Sequence, residues 1–374
     1  MAAWIIMLAV MALLALGGIV FLVRSMARFG LLKKLIAKNR ALGWAVSAAL
    51  VVLPAAGIWA AWGYMNVLIV LLHLVIFWGI AELIRRAAER RRGPSRCYIA
   101  GAAAVLLTAV YLTAGWVQAH HVWQTDYAVS SEKTVGTLRV ALLADAHVGT
   151  TFDGAGLAAH AAKIQAQNPD VVVVSGDFVD EDTSRGDMIA ACRALGSIRS
   201  TYGTYFVFGN HDKGLYDASC RRGFTGDDLV AELEKNGVTV LQDETVQLGE
   251  DFYLVGRQDA SEELDFGRSR ASIEELTQDL DPDKFTIVLD HQPRDYDAES
   301  GHADLVLSGH THGGQMLPVM QLIRWFHLGG DDNVYGCETR GGTNFIVTSG
   351  ISDWAIQFKT GCRSEFVIVD IEGK

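Results

Sequence analysis

The stretch VVVVSGD occupies residues 171–177. Four valines and a serine are too short a run for a helix, and β-branched carbons favour the pleated backbone. With no polar position among the valines, the segment reads as a strand buried on both faces, as in a parallel sheet covered by helices. A glycine ends the strand, and Asp177 follows at its carboxyl end. In open α/β sheets, ligands collect outside such ends.

Working outward, residues 138–144, 205–208, 285–289 and 305–307 read as further apolar strands. Residues 238–241, 245–248, 252–255, 345–348 and 366–369 read as others. Segments 156–167, 187–198, 227–236 and 273–280 have helical spacing. This order predicts a layered α/β fold. Each strand of the first group ends in polar groups. DAH supplies Asp145 and His147, and GNHD supplies Asn210, His211 and Asp212. DHQP supplies His291, and SGHTHGG supplies His310 and His312.

An isolated Asp-x-His or Gly-Asp means little, and a lone buried histidine is usually a hydrogen-bonded core residue. Five strand ends that each deliver Asp, Asn or His point instead to a metal site. Asp145, His147, Asp177, Asn210, His291, His310 and His312 exceed what one ion needs. Two ions sharing Asp177 would use them all and leave room for a bridging hydroxide. Oxygen and nitrogen donors without thiolate suit Mn, Fe or Zn. Such a pair, about 3.5–4 Å apart, favours in-line displacement at phosphorus. His211, next to Asn210, is placed to protonate a leaving oxygen. Asp212 either orients that ring or makes a turn bond. Gly313 and Gly314 let the backbone turn where a side chain would collide.

D-x-H, G-D, G-N-H-D, a lone H and G-H-x-H, in this order, resemble the calcineurin-like metallophosphoesterases over roughly residues 140–370. SGHTHGGQ is similar to a bacterial, often membrane-attached subgroup. The resemblance implies two packed mixed β-sheets flanked by helices, two divalent metals, and hydrolysis of a phosphomonoester or phosphodiester. Carried over, one metal takes Asp145, His147, Asp177 and His312. The other takes Asp177, Asn210, His291 and His310, and His211 is the catalytic acid. Ala144 replaces a common serine. Gln357, Phe358 and Lys359 stand where relatives often carry an arginine and a proline, which bears on substrate contacts rather than on metal binding.

The rest of the chain differs in kind. Residues 1–118 carry 12 basic and 2 acidic residues, whereas 119–374 carry 20 and 41. An acidic second part excludes nucleic acid as a partner, since phosphate backbones need a basic footprint. Residues 4–23, 41–62, 65–81 and 98–119 are apolar runs without Asp, Glu, Lys or Arg, the third being short for a span. The expectation is a bundle of four transmembrane helices (1–119), a linker (120–136) and a metallophosphoesterase domain (137–374). Arginines and lysines cluster at 24–40 and 85–96, which places those loops in the cytoplasm. The N-terminus and the catalytic domain then lie outside. Trp4, Trp59, Trp62, Trp116 and Trp123 fit an outer interfacial belt. His73, inside the third run, reads as a neutral ring bonded within the bundle.

Leu322, Ile323, Trp325 and Phe326, in residues 319–333, suggest an apolar lip touching the outer leaflet or an acyl chain, against packing on their own domain. Cys192, Cys220, Cys337 and Cys362 permit disulfides outside the cell, with Cys337–Cys362 favoured, or else remain buried thiols. The leading reading is a membrane-anchored, two-metal phosphohydrolase of an integral, multi-pass protein of the cell membrane. Its location points to a lipid-linked or envelope phosphoester, attacked by the metal-bridging hydroxide. The alternative is a non-catalytic ligand-binding sensor that uses the phosphatase fold and signals through the membrane helices.

Overall fold

The structure, a computed structural model, describes residues 16–93, 97–217, 221–326 and 330–374. The chain forms two compact units: Met1–Gly115 with Ala355–Gln357, and Trp116–Trp354 with Phe358–Lys374.

In the second unit, twelve strands form two six-stranded mixed sheets. The first has the order β1 (Trp123–Ser130), β12 (Glu365–Glu372), β2 (Thr137–Leu143), β3 (Val171–Ser175), β4 (Thr204–Val207), β5 (Val238–Val240). Within it β2 to β5 run parallel, and β12 is antiparallel to β2. The second has the order β10 (Gly336–Arg340), β11 (Thr343–Val347), β9 (Leu305–Ser308), β8 (Phe285–Leu289), β7 (Phe252–Gly256), β6 (Glu244–Leu248). Here β7, β8, β9 and β11 are parallel.

The four valines of β3 show how the layers form. Val171 and Val173 join Leu254, Ile287, Leu289 and Leu307 in the core between the sheets. Val172 and Val174 point the other way, onto Leu157, Ala161, Met188 and Leu195 of helices Gly154–Gln165 and Arg185–Leu195. The outer face of the second sheet is covered by Ile273 and Tyr296, packed with Val288, Val306 and Phe345. Each valine of β3 is at most 1 % exposed, and burying such a side chain stabilises by roughly 1.5–3 kcal/mol. Helices start on side-chain caps: Asp153 accepts from Gly156 N, Ser184 from Asp187 N, and Thr225 pairs with Asp228 in a capping box.

The segment expected to be a linker, 120–136, is a strand over much of its length. Trp123–Ser130 pairs in parallel with β12 along eight residues. It is an edge strand, mostly half-exposed, and its polar Gln124, Thr125 and Asp126 interrupt the apolar pattern that marks central strands.

In the first unit, two described helices are long and apolar enough to cross a membrane, Arg40–Arg92 and Ile99–His120, beside a shorter apolar helix, Leu16–Met26. That is two rather than the four expected. The runs 41–62 and 65–81 fall in one element of 53 residues, interrupted at Gly63 (φ 79, ψ 174). Residues 4–15 of the first run lie outside the described residues. Val51 and Trp78, about 40 Å apart on a straight helix, share one apolar cluster with Leu22 and Ala104. The element therefore folds back on itself at Gly63, where only glycine tolerates the backbone angles. His73 Nδ1 donates to Ile69 O at 2.8 Å and its ring stacks on Tyr111.

Candidate metal centre

The carboxyl ends of β2, β3 and β4 in one sheet, and of β8 and β9 in the other, bring all seven candidate ligands together. Ligand atoms of Asp145, His147 and His312 lie within 4.8 Å of one another, and so do those of Asp177, His291 and His310. The two groups adjoin: His147 Nε2 is 3.6 Å from Asp177 Oδ2. Asn210 Oδ1 is 3.0 Å from His310 Nδ1. Six of the seven are buried, and His310 is partly so.

The backbone is strained here. Nine described non-glycine residues have positive φ, and five are candidate ligands: Asp145 (54°), His147 (35°), Asp177 (50°), His310 (70°) and His312 (48°). The left-handed region costs an ordinary residue about 1–2 kcal/mol. Such strain persists where the surroundings and the function require it.

Hydrogen bonds fix which ring nitrogens are free. His291 Nδ1 donates to the Ser175 carbonyl at 2.7 Å, so in the neutral ring Nε2 holds a lone pair. That atom faces Asp177 Oδ2 at 3.1 Å. His147 Nδ1 donates to Asp180 Oδ2 at 3.2 Å, turning its Nε2 toward His312 Nε2, also at 3.2 Å. His291 Nε2 against Asp177 Oδ2 sets acceptor against acceptor and calls for positive charge between them, either a proton or a cation, while His147 Nε2 can take a proton from His312 Nε2 or a cation. Burial disfavours charge on both Asp177 and His291, yet their mutual attraction holds Asp177 well below and His291 well above the usual range. Burial pushes His310 down to about 3 and His312 well below its usual value, leaving neutral rings with lone pairs. The donor set, mixed carboxylate, amide and imidazole without thiolate, fits a pair of divalent ions. A shell of partners holds the ligands: Asp145 accepts from His310 N at 2.9 Å, and Asp177 Oδ1 from His211 N at 2.9 Å.

His211 joins the same hollow, its ring centroid 5.5 Å from that of His147. Nδ1 bonds the Glu181 carboxylate at 2.8 Å. Burial lowers the pKa of His211, but Glu181, Asp177 and Asp180 outweigh it and push it up to about 9. Tyr216 and Trp354 flank the ring at 5.4 and 5.5 Å. Asp212 does not orient His211. It accepts from the backbone N–H groups of Asp177, Phe178, Val179 and Gly209 at 2.7–3.0 Å, tying two ligand loops together.

Sequence reasoning missed Asp180 and Glu181, although both follow Asp177 in GDFVDED. Lys359 lies in the stretch where the departure from the family pattern leaves substrate contacts open. That side chain is fully buried and donates to Ser349 O, Ser352 O and Ser364 Oγ at 2.7, 2.8 and 3.2 Å. It thereby pins the loop that sets Gly350 against Asp145, where a Cβ would lie 2.7 Å from the Asp145 Cβ. Cys337 and Cys362 are not bonded to each other. Cys337 is exposed on β10, and Cys362 Sγ lies 3.1 Å from His312 O. Cys192 is also free, and Cys220 lies outside the described residues. The lip segment forms helix Val319–Phe326, with Leu322, Trp325 and Phe326 exposed and Met320 buried. Residues 327–329 of that segment lie outside the described residues.

Residues 138–314, which span every ligand strand, match the family model of the calcineurin-like phosphoesterases. This part of the chain is similar to the calcineurin-like metallophosphoesterases. The family uses a dinuclear metal centre, in keeping with the two ligand groups. An uncharacterized metallophosphoesterase of Campylobacter jejuni is 31% identical over 242 residues, 63% of this chain and 60% of that protein. A transmembrane protein with metallophosphoesterase domain from Danio rerio is 27% identical over 80% of this chain and 70% of its own length. A solved structure of a dimetal phosphatase from Danio rerio is a distant likeness, 12% identical over 56% of this chain and 86% of that one, TM-score 0.36. The chain spans about 60% of the first curated relatives it matches.

Proposed function

We propose that the metallophosphoesterase domain hydrolyses a phosphomonoester or phosphodiester, with two divalent ions, Mn, Fe or Zn, completing its site. One is held by Asp145, His147, Asp177 and His312, the other by Asp177, Asn210, His291 and His310. The observation that carries this is the left-handed backbone at five of those seven residues. When bound, the ions activate a water for attack on phosphorus and offset the charge of the phosphoryl oxygens. The chain supplies the rest. Asp180 and the Ser175 carbonyl hold the rings of His147 and His291, so that their lone pairs point inward. Glu181 holds His211 protonated on Nδ1, and the opposite nitrogen donates a proton to the leaving oxygen. Trp354 and Tyr216 flank that ring.

The domain is anchored in the cell membrane, as in the bacterial membrane-attached members of the family. The break at Gly63 supports counting 41–62 and 65–81 as separate crossings, four in all with the first. Basic loops at 24–40 and 85–96 then face the cytoplasm, and the domain lies outside it. The exposed Leu322, Trp325 and Phe326, close after the ligand loop, support a lipid-linked substrate whose apolar part they touch.

The full chain with Mn²⁺ should hydrolyse bis-p-nitrophenyl phosphate, and Asp177→Asn should abolish turnover. Absence of turnover with any divalent metal sinks the proposal. Trp325→Ser with Phe326→Ser should slow hydrolysis of a vesicle-borne phospholipid while leaving the soluble ester unaffected. Equal loss on both substrates removes the lipid reading alone.

A further inference from the structure

A second site lies in the helical unit, away from the metal ligands in sequence and in type. A cavity of about 650 Å³ is lined by Arg28, Phe29, Lys33, Arg85, Glu89 and Tyr98. Glu82, with 5% of its side chain exposed, sits behind Arg28 and Arg85 and bonds both guanidinium groups. Tyr98 steadies the arrangement. It accepts from Trp78 Nε1 at 2.9 Å, and its ring lies under the Arg28 guanidinium at 5.9 Å. The paired guanidiniums are not shut away: 41% of the Arg28 side chain and 26% of that of Arg85 stay exposed. Lys33, on helix Gly30–Lys38, is exposed beside them. The three cations outnumber Glu82 and Glu89, and the segments around them are strongly basic.

An apolar cavity of about 590 Å³ adjoins this one and shares Arg85, Glu89 and Cys97 with it. Phe77, Ile80, Ile84, Ile99, Ala103 and Leu107 line it, between the two long apolar helices. A basic recess opening into an apolar trough matches an anionic head joined to a hydrocarbon chain. Free phosphate would use only the recess, and a zwitterionic lipid would bring an ammonium group toward the cations.

We propose that this pair of cavities binds one anionic phospholipid, its phosphate among Arg28, Lys33 and Arg85 and an acyl chain along the trough. The site is independent of the phosphoesterase reading and needs only that these helices lie in a bilayer. Each cation near an anionic head favours it by a factor of about five.

The test is native mass spectrometry of the full chain in detergent, loaded with equal phosphatidylglycerol and phosphatidylcholine. One phosphatidylglycerol should be retained in preference. Lys33→Gln, at an exposed position, should cut the preference about fivefold with helical circular dichroism unchanged. Ala103→Trp, which fills the trough without altering charge, should lower retention of the lipid. Inorganic phosphate at millimolar concentration should not displace it. Equal retention of both lipids, an unchanged preference in Lys33→Gln, unchanged retention in Ala103→Trp, or displacement by phosphate alone would each overturn the proposal.

Discussion

The Nε2 atoms of His147 and His312 face each other at 3.2 Å, inside the domain and away from solvent. The Nδ1–H of His147 is committed to Asp180, so its Nε2 lone pair faces His312 and can take a proton from that ring or a cation between the two. Asp180 thus sets the tautomer that would make His147 a ligand. Asp180→Asn keeps the size of the side chain but removes its charge. It should weaken metal binding about 10–100-fold at the Asp145, His147 and His312 group. Calorimetric Mn²⁺ titration of the full chain would show one of two sites weakened; unchanged affinity at both would assign Asp180 to the loop alone.

The ring of His211 is bound to Glu181, and only its backbone N–H reaches a ligand side chain, Asp177. His211→Ala should therefore keep its metal and lose about 10²–10⁴-fold in kcat, most for esters of poor leaving groups. Glu181→Gln should show the same dependence on leaving group, with a smaller loss. Comparing p-nitrophenyl and alkyl phosphodiesters checks both variants. Loss of metal in His211→Ala would make that residue structural.

The ligand loops were legible in the sequence because strand, glycine and polar group follow one another without gaps, as in VVVVSGD and LVLSGHTHGG. The central strands were legible for the same reason, being uniformly apolar. What was not legible depends on pairing across the fold. Trp123–Ser130 is a strand only because β12 lies beside it. Asp180 and Glu181 are ordinary acids until His147 and His211 are brought to them by other strands. Asp212 looked like a partner for its neighbour His211, yet its oxygens turn to four backbone amides. The helical unit was read by composition, which finds apolar runs and cannot say that 41–62 and 65–81 belong to one interrupted element.

Lys359, in the stretch that departs from the family pattern, is held inside the domain. Its ammonium is fully buried among backbone carbonyls and lies 3.4 Å from Asp353. Lys359→Met takes the donor from those carbonyls and leaves the buried Asp353 with Gln315 but no counter-charge, and should destabilise the domain by about 3 kcal/mol. A thermal melt of the full chain would register this as a lowered unfolding temperature. Gly350→Ala, at φ 78° and against Asp145, should instead lower metal content by displacing that carboxylate. An unchanged melt in Lys359→Met would contradict this structural role.

The central claim is a site for two ions that share Asp177. Elemental analysis of the full chain, purified after loading with Mn²⁺, tests it directly. The expected result is two ions per chain, falling to about one in His310→Ala and lost together with turnover on chelation. One ion or none in the unaltered chain, with the seven ligands intact, would contradict it.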